Sequence, residues 1–145
     1  MFLGQYKYTI DSKGRLTIPV RFRAALSSGA FITQGFDRNL NVFTADSFVF
    51  LAGTATAVTS TNPEARTMRR LIFSRAQELP LDATGRVLIP TFLREYAGIQ
   101  VDAYVVGAGD YFEIWSPPLW DEQQANLRDA EANTQRFIAF DLSAG

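Results

Sequence analysis

Apolar and polar positions alternate twice along this chain in the same way. In "YKYTID" (residues 6–11) and "ELPLD" (residues 78–82) apolar side chains recur on alternate positions; a polar tetrapeptide intervenes, and "RLTIP" or "RVLIP" resumes the extended pattern. A period of two marks a half-buried strand, so each stretch predicts a β-hairpin. Asp at the start of the turn can accept hydrogen bonds from backbone amides two or three residues on, and Gly14 or Gly85 can take the positive φ such a loop needs. Pro19 and Pro90 end the second strand and suit the first turn of a helix, predicting short helices at "VRFRAAL" and "TFLREYAGI".

Further strands are predicted at "AFITQGF", "LNVFT", "DAYVVGA" and "YFEIW", where aromatic and β-branched residues dominate and glycines punctuate. "ADSFVFLAGTATA" predicts a helix that Asp46 could cap. "TNPEARTMRRLIFSRA" has a clearer start, with Asn62 as cap, Pro63 at the first helical position and Glu64 near the positive helix end. On it Met68, Leu71, Ile72 and Ala76 form an apolar stripe, while Arg66, Arg69, Arg70 and Arg75 project elsewhere. "PPLWDEQQANLRDAEANTQRF" predicts one last helix.

The two hairpin segments repeat each other at an offset of 71, "DSKGRLTIPVRFR" against "DATGRVLIPTFLR", with six identities in thirteen positions. The similarity extends upstream, and with one inserted residue downstream to "LNVFT" against "FEIWS". This is a tandem duplication of a unit of about seventy residues. The expected organisation is a first module over residues 1–60 and a second over 61–145. A hairpin and a short helix cannot bury enough apolar surface alone, so the modules must share one core. Duplication lets one chain build a pseudo-symmetric core that would otherwise take two identical chains.

Composition narrows the chemistry. The chain has 145 residues with 47% hydrophobic content, enough for a core, and has neither cysteine nor histidine. That excludes disulfides, thiolate or imidazole metal sites, and cysteine or histidine catalysis. The N-terminal "MFLGQYKYTI" lacks the features of a secretory signal, and the longest uncharged run, residues 47–63, is too polar and short to span a bilayer. A cytoplasmic protein without a membrane partner is expected. The net charge of −1 hides a division: residues 1–94 carry 12 basic and 6 acidic side chains, residues 95–145 carry 2 and 9. A basic face for a polyanion and an acidic remainder that limits indiscriminate sticking would give this asymmetry, as would ordinary solvated charge.

"MFLGQYKYTIDSKGRLTIPVRFR" and "LDATGRVLIPTFLREYAGI" resemble the two halves of the MraZ family of bacterial transcriptional regulators, each half being similar to a SpoVT/AbrB-type module. The match runs in order over nearly the whole chain, including "EIWSPPLWDE". The resemblance implies an α+β fold, a pseudo-symmetric double swapped-hairpin β-barrel with short flanking helices. It implies sequence-specific binding to repeated promoter elements in double-stranded DNA through Asp-x-x-x-Arg, present as Asp11 to Arg15 and Asp82 to Arg86. It also implies repression of a division and cell-wall operon, nucleoid association, and a homo-oligomeric ring of eight or more chains. In the second copy Thr84 stands in place of Lys13 and Phe92 in place of Arg21, so the first half has the stronger cationic surface.

The residues support these assignments in their own terms. Arg15 and Arg86 each follow a glycine turn, where a planar guanidinium could pair with guanine O6 and N7, a contact worth roughly 1–3 kcal/mol of discrimination. Lys13, Arg21 and Arg23 suit phosphates, which position a protein on DNA and make its affinity salt-dependent. Asp11, Gly14, Asp82 and Gly85 are turn-organising residues, because a carboxylate facing DNA is repelled unless it orients something else. The arginines from Arg66 to Arg75 are read as a solvated helix face or as ion-pair partners of acidic neighbours, and the many aromatics as core rather than stacking platforms. Asp11 with Asp82 could mimic a hydrolase dyad and Ser12 beside Lys13 a nucleophile pair, but the duplicate replaces both members of the latter, and no phosphate-cradling glycine pattern appears. No enzyme, cofactor, metal or small-molecule substrate is expected. The competing class is a non-catalytic assembly or antitoxin-like protein that holds a macromolecular partner with its acidic C-terminal helix.

Overall fold

The computed structural model describes residues 1–142; residues 143–145, the last of the expected second module, lie outside the described residues. In chain order the elements are β1 (Gln5–Thr9), β2 (Arg15–Thr17), α1 (Val20–Arg23) running into a single 3-10 turn (Ala24–Leu26), β3 (Ala30–Gln34), β4 (Leu40–Thr44), α2 (Ala45–Ala57), α3 (Pro63–Ser74), β5 (Gln77–Glu78), β6 (Arg86–Leu88), α4 (Thr91–Ala97), β7 (Asp102–Gly107), β8 (Tyr111–Trp115), α5 (Pro117–Arg128) and α6 (Ala130–Phe137). The protein is therefore a mixed α/β chain.

Strand pairing departs from the expected hairpins. The polar turns form, but the strands flanking each one do not pair with each other. Strand β1 pairs with β7 and β5 with β3, within an antiparallel sheet ordered β1-β7-β8-β4-β3-β5. Strands β2 and β6 leave that sheet and pair with each other as a separate antiparallel ribbon, with Leu16 opposite Val87. Backbone partners show where the chains separate. Ile10 donates to the Val101 carbonyl at 2.7 Å, drawing β1 towards β7, while Ile18 donates to the Gly85 carbonyl at 2.9 Å and Ile89 to the Gly14 carbonyl at 3.0 Å. Period-two alternation fixes which face of a strand is buried, not which strand it meets.

Both repeats feed one continuous core. Leu16 and Ile18 from the first repeat and Val87 and Ile89 from the second are buried together, beneath Phe22 and Leu93 and against Ile32, Val42, Val105, Phe112 and Ile114 of the sheet. Phe22 and Phe112 hold their rings 5.2 Å apart across the two repeats. Fully burying an aliphatic or aromatic side chain contributes roughly 1.5–3 kcal/mol, so this shared cluster ties the halves into one folding unit. A smaller cluster, Trp115 and Trp120 with Val106, seats α5 on the sheet, and Trp120 donates its indole N–H to Gln5 Oε1 at 3.0 Å.

Helix ends show three differences from the expected pattern. Pro19 and Pro90 stand one position earlier, as extended N-caps, which their fixed φ allows. Thr44, not Asp46, caps α2, accepting from Ser47 N–H at 3.0 Å. The C-terminal helix is two helices, because Asp129 leaves helical geometry and caps α6 through Ala132 N–H. Asn62 and Pro63 start α3 as expected. No described helix is long and apolar enough to cross a membrane.

Candidate nucleic-acid interface

The two turns are near copies in atomic detail. Asp11 Oδ1 accepts from the backbone N–H of Lys13 and of Arg15, each at 2.9 Å, and its Oδ2 accepts from Arg15 Nε at 2.6 Å. Asp82 Oδ1 accepts from Thr84 N–H at 3.0 Å and Arg86 N–H at 2.9 Å, and its Oδ2 from Arg86 Nε at 3.0 Å. Backbone bonds close each loop, Gly14 N–H to the Asp11 carbonyl and Gly85 N–H to the Asp82 carbonyl, both at 3.0 Å. Gly14 and Gly85 sit at φ +86° and +80°, where side-chain-bearing residues are strained.

These bonds shape the electrostatics. The Arg15 backbone N–H foremost, aided by the Arg15 guanidinium, brings the Asp11 carboxyl down to about 2 against the opposing effect of burial. The Arg86 backbone N–H and the Thr84 hydroxyl and N–H likewise hold the Asp82 carboxyl well below its ordinary value. Both aspartates are therefore ionised clamps near neutral pH, unsuited to donating a proton as a general acid. Arg86 Nη1 also comes within 3.8 Å of Asp11 Oδ2, which links the two turns. The reciprocal pair, Arg15 with Asp82, is absent among the described residues.

The ribbon decides where the arginines face. Leu16 and Val87 point into the core, so alternation sends Arg15, Thr17, Arg86 and Leu88 to the opposite side. Arg15 lies opposite Leu88 and Arg86 opposite Thr17, which places the two arginines diagonally on one outer face. Both are half-buried, and Leu88 is 58% exposed between them. The Nε of each arginine is committed to its aspartate and Arg86 Nη1 also approaches Asp11, while each side chain keeps about a third of its surface exposed.

The other cations occupy different situations. Lys13 is exposed at the tip of the first turn, and Arg21 is exposed on α1. In the second turn Thr84 stands at the equivalent tip and turns its hydroxyl inward to Asp82 at 2.9 Å. Arg23 is half-buried, donates Nε to the Ile18 carbonyl at 2.9 Å and lies against Gly85 of the other repeat. Arg94, its counterpart, does the same with the Ile89 carbonyl at 3.1 Å and lies against Gly14. On α3 Arg66 donates to the Ser60 carbonyl, and Arg75, just past the end of α3, lies 5.8 Å from the centre of the Phe92 ring; none of the arginines from Arg66 to Arg75 forms an ion pair among the described residues. No cluster of acidic, histidine or cysteine side chains that could hold a metal occurs among the described residues.

Sequence reasoning found the turns and their arginines but passed over Thr17, Leu88 and Arg94. The first two share the outer face by simple alternation, a signal that was present. Arg94 was visible as the final identity of the repeat; its seat on the opposite turn was not, because it depends on the exchanged strand pairing.

Comparison with known proteins agrees with the duplication. A family model described as "MraZ protein, putative antitoxin-like" matches twice, over residues 1–71 and 72–141. Among relatives bearing the name Transcriptional regulator MraZ, that of Herpetosiphon aurantiacus is 42% identical, with 98% of this chain and 100% of the relative covered. That of Roseiflexus castenholzii is 45% identical over 94% of each chain. That of Mycolicibacterium smegmatis is 41% identical over 95% of this chain and 97% of its own length.

Proposed function

Because this chain belongs to the MraZ family, we propose that it is a DNA-binding transcriptional regulator that represses its own division and cell-wall operon by reading repeated promoter elements. The observation that carries this reading is the pairing of β2 with β6, whose register puts Arg15 and Arg86 diagonally on one outward face. A two-stranded ribbon fits the major groove of B-form DNA, where each arginine can reach guanine O6 and N7. Lys13, exposed at the tip of the first turn, and Arg21, exposed on α1, neutralise phosphates; Arg23, whose Nε is committed to the Ile18 carbonyl, acts instead on the turn it lies against. Asp11, Gly14, Asp82 and Gly85 hold the arginines in place and do not themselves meet DNA.

The sheet and ribbon suit a double swapped-hairpin barrel, with modules over residues 1–60 and 61–145 around one core. Two similar but unequal halves per chain also favour head-to-tail contacts that close into a ring of eight or more copies. The protein acts in the cytoplasm on the nucleoid, as a regulator rather than an enzyme, and needs no cofactor or small-molecule substrate for this role.

The test is to recover and sequence genomic fragments that the purified protein retains at physiological salt. The regulator reading expects enrichment of DNA upstream of the chain's own gene, with a short repeated element. Retention of a protein partner with no enriched DNA would support the antitoxin-like class instead.

A further inference from the structure

Each arginine-bearing turn is held from the other repeat. Around the first turn three contacts close a circuit: Ile89 N–H donates to the Gly14 carbonyl at 3.0 Å, Arg94 Nε donates to the Ile89 carbonyl at 3.1 Å, and the Arg94 guanidinium lies over Gly14. A Cβ built on Gly14 would stand 2.7 Å from Arg94 Cζ, so the guanidinium occupies the space that any side chain there would need. Arg94 Nη2 is fixed in turn by Thr91 Oγ1 at 3.0 Å. The second turn has the mirrored circuit, with Ile18 N–H to the Gly85 carbonyl, Arg23 Nε to the Ile18 carbonyl, and Arg23 over Gly85 where a Cβ would overlap it.

We propose that Arg94 and Arg23 are crossed positioning residues for DNA recognition, Arg94 setting the turn that carries Arg15 and Arg23 setting the turn that carries Arg86. The inference rests on the DNA-binding reading above. A guanidinium suits the task for three reasons. It stays charged at any working pH, its plane can lie flat on a glycine that offers no side chain, and its Nε–H leaves in the direction of a backbone carbonyl. The buried Gly14 and Gly85 then serve as more than positive-φ residues, since each is also the floor of a seat. The arrangement fixes the spacing of Arg15 and Arg86, because neither turn can shift without disturbing the helix that follows the other. A chain with only one repeat lacks the opposite half of either circuit.

A positioning role and a phosphate-neutralising role predict different results. The probes are a duplex carrying the region upstream of the chain's own gene and a scrambled duplex of the same length and composition. Their affinities are measured over a range of salt for the full chain and for its Arg94→Ala and Arg94→Lys variants. If Arg94 positions the turn, both variants lose about tenfold on the upstream duplex, the size expected for one charge-assisted contact. Affinity for the scrambled duplex and the slope of affinity against salt stay the same. Lysine does not rescue, because it keeps the charge but lacks the plane. Backbone amide exchange gives a readout independent of DNA, and core amides of the same variant control for any general loss of stability: relative to them, the amides of Gly14 and Arg15 should exchange faster in Arg94→Lys, and those of Gly85 and Arg86 in Arg23→Lys. Rescue by lysine, a shallower salt slope in Arg94→Ala, or faster exchange confined to the variant's own repeat would overturn the crossed assignment. A wild-type chain that binds both duplexes alike would instead overturn the regulator reading on which it rests.

Discussion

Arg86 of the second turn reaches Asp11 of the first, with Nη1 3.8 Å from Oδ2, while Asp11 already accepts Arg15 Nε at 2.6 Å. One carboxylate therefore serves both arginines and draws the two fingertips together. Among the described residues Asp82 forms an ion pair with Arg86 alone. The twofold pattern of the turns is thus broken at its centre, in favour of the first repeat, which also carries Lys13 and Arg21.

Arg15→Ala should remove specific DNA binding while leaving the protein folded and oligomeric. Losing one bidentate base contact costs about 1–3 kcal/mol of discrimination, or roughly five- to 150-fold. Gel shifts on upstream DNA at physiological salt, alongside size-exclusion chromatography, give the measurement. An Arg15→Ala protein that shifts this DNA at wild-type concentrations would defeat the role given to the first turn.

Arg86→Ala should weaken binding less than Arg15→Ala. Its turn has Thr84 in place of Lys13, with the hydroxyl committed to Asp82, so fewer cations act beside it. Titrating both variants on one duplex ranks them, and an equal or larger loss for Arg86→Ala would reverse the order.

Stability should fall in acid as the Asp clamps are protonated. The folded Asp11 carboxyl lies at about 2, below the ordinary value of 3.8 that it regains on unfolding, and Asp82 is shifted the same way. A carboxyl depressed in the folded state stabilises the fold above its unfolded value; that contribution fades as pH drops from about 4 towards 2. Thermal melts across this window should show a steeper decline for wild type than for Asp11→Asn. Parallel curves would mean that Asp11 adds nothing to the fold.

Gly85→Ala should destabilise the chain by about 1–3 kcal/mol, the cost of a strained positive φ, with displacement of Arg23 added to it. Gly53, exposed on α2 with open space where its Cβ would go, is the control, and Gly53→Ala should be neutral or mildly stabilising. Chemical denaturation of the two variants makes the comparison. Equal stabilities would remove the argument for a fitted seat at Gly85.

Much of this was legible in the residues because the turn chemistry is local. Asp, Gly and Arg at fixed spacing specify the loop, its hydrogen bonds and the exit of each arginine without reference to the rest of the chain. The strands at Leu40–Thr44 and Tyr111–Trp115 were equally plain, since aromatic and β-branched residues bounded by turns leave few alternatives. Pairing was not legible. Ile10 and Ile18 look alike as alternating apolar residues, yet the first bonds to Val101 and the second to Gly85, and only the shared core decides between them. The seats of Arg23 and Arg94 were hidden for the same reason. The break at Asp129 was missed because an aspartate inside a long polar helix gives no signal until its side chain captures Ala132 N–H.

The most direct test of the central claim is a salt titration of wild-type protein and the Arg15→Ala/Arg86→Ala double variant, on upstream DNA and on a scrambled duplex. Two arginines reading bases from one ribbon face predict a wild-type preference for upstream DNA that persists across the salt range while overall affinity falls steeply. The double variant should bind both duplexes with equal, weak, salt-dependent affinity. A double variant that keeps the wild-type preference would contradict the account.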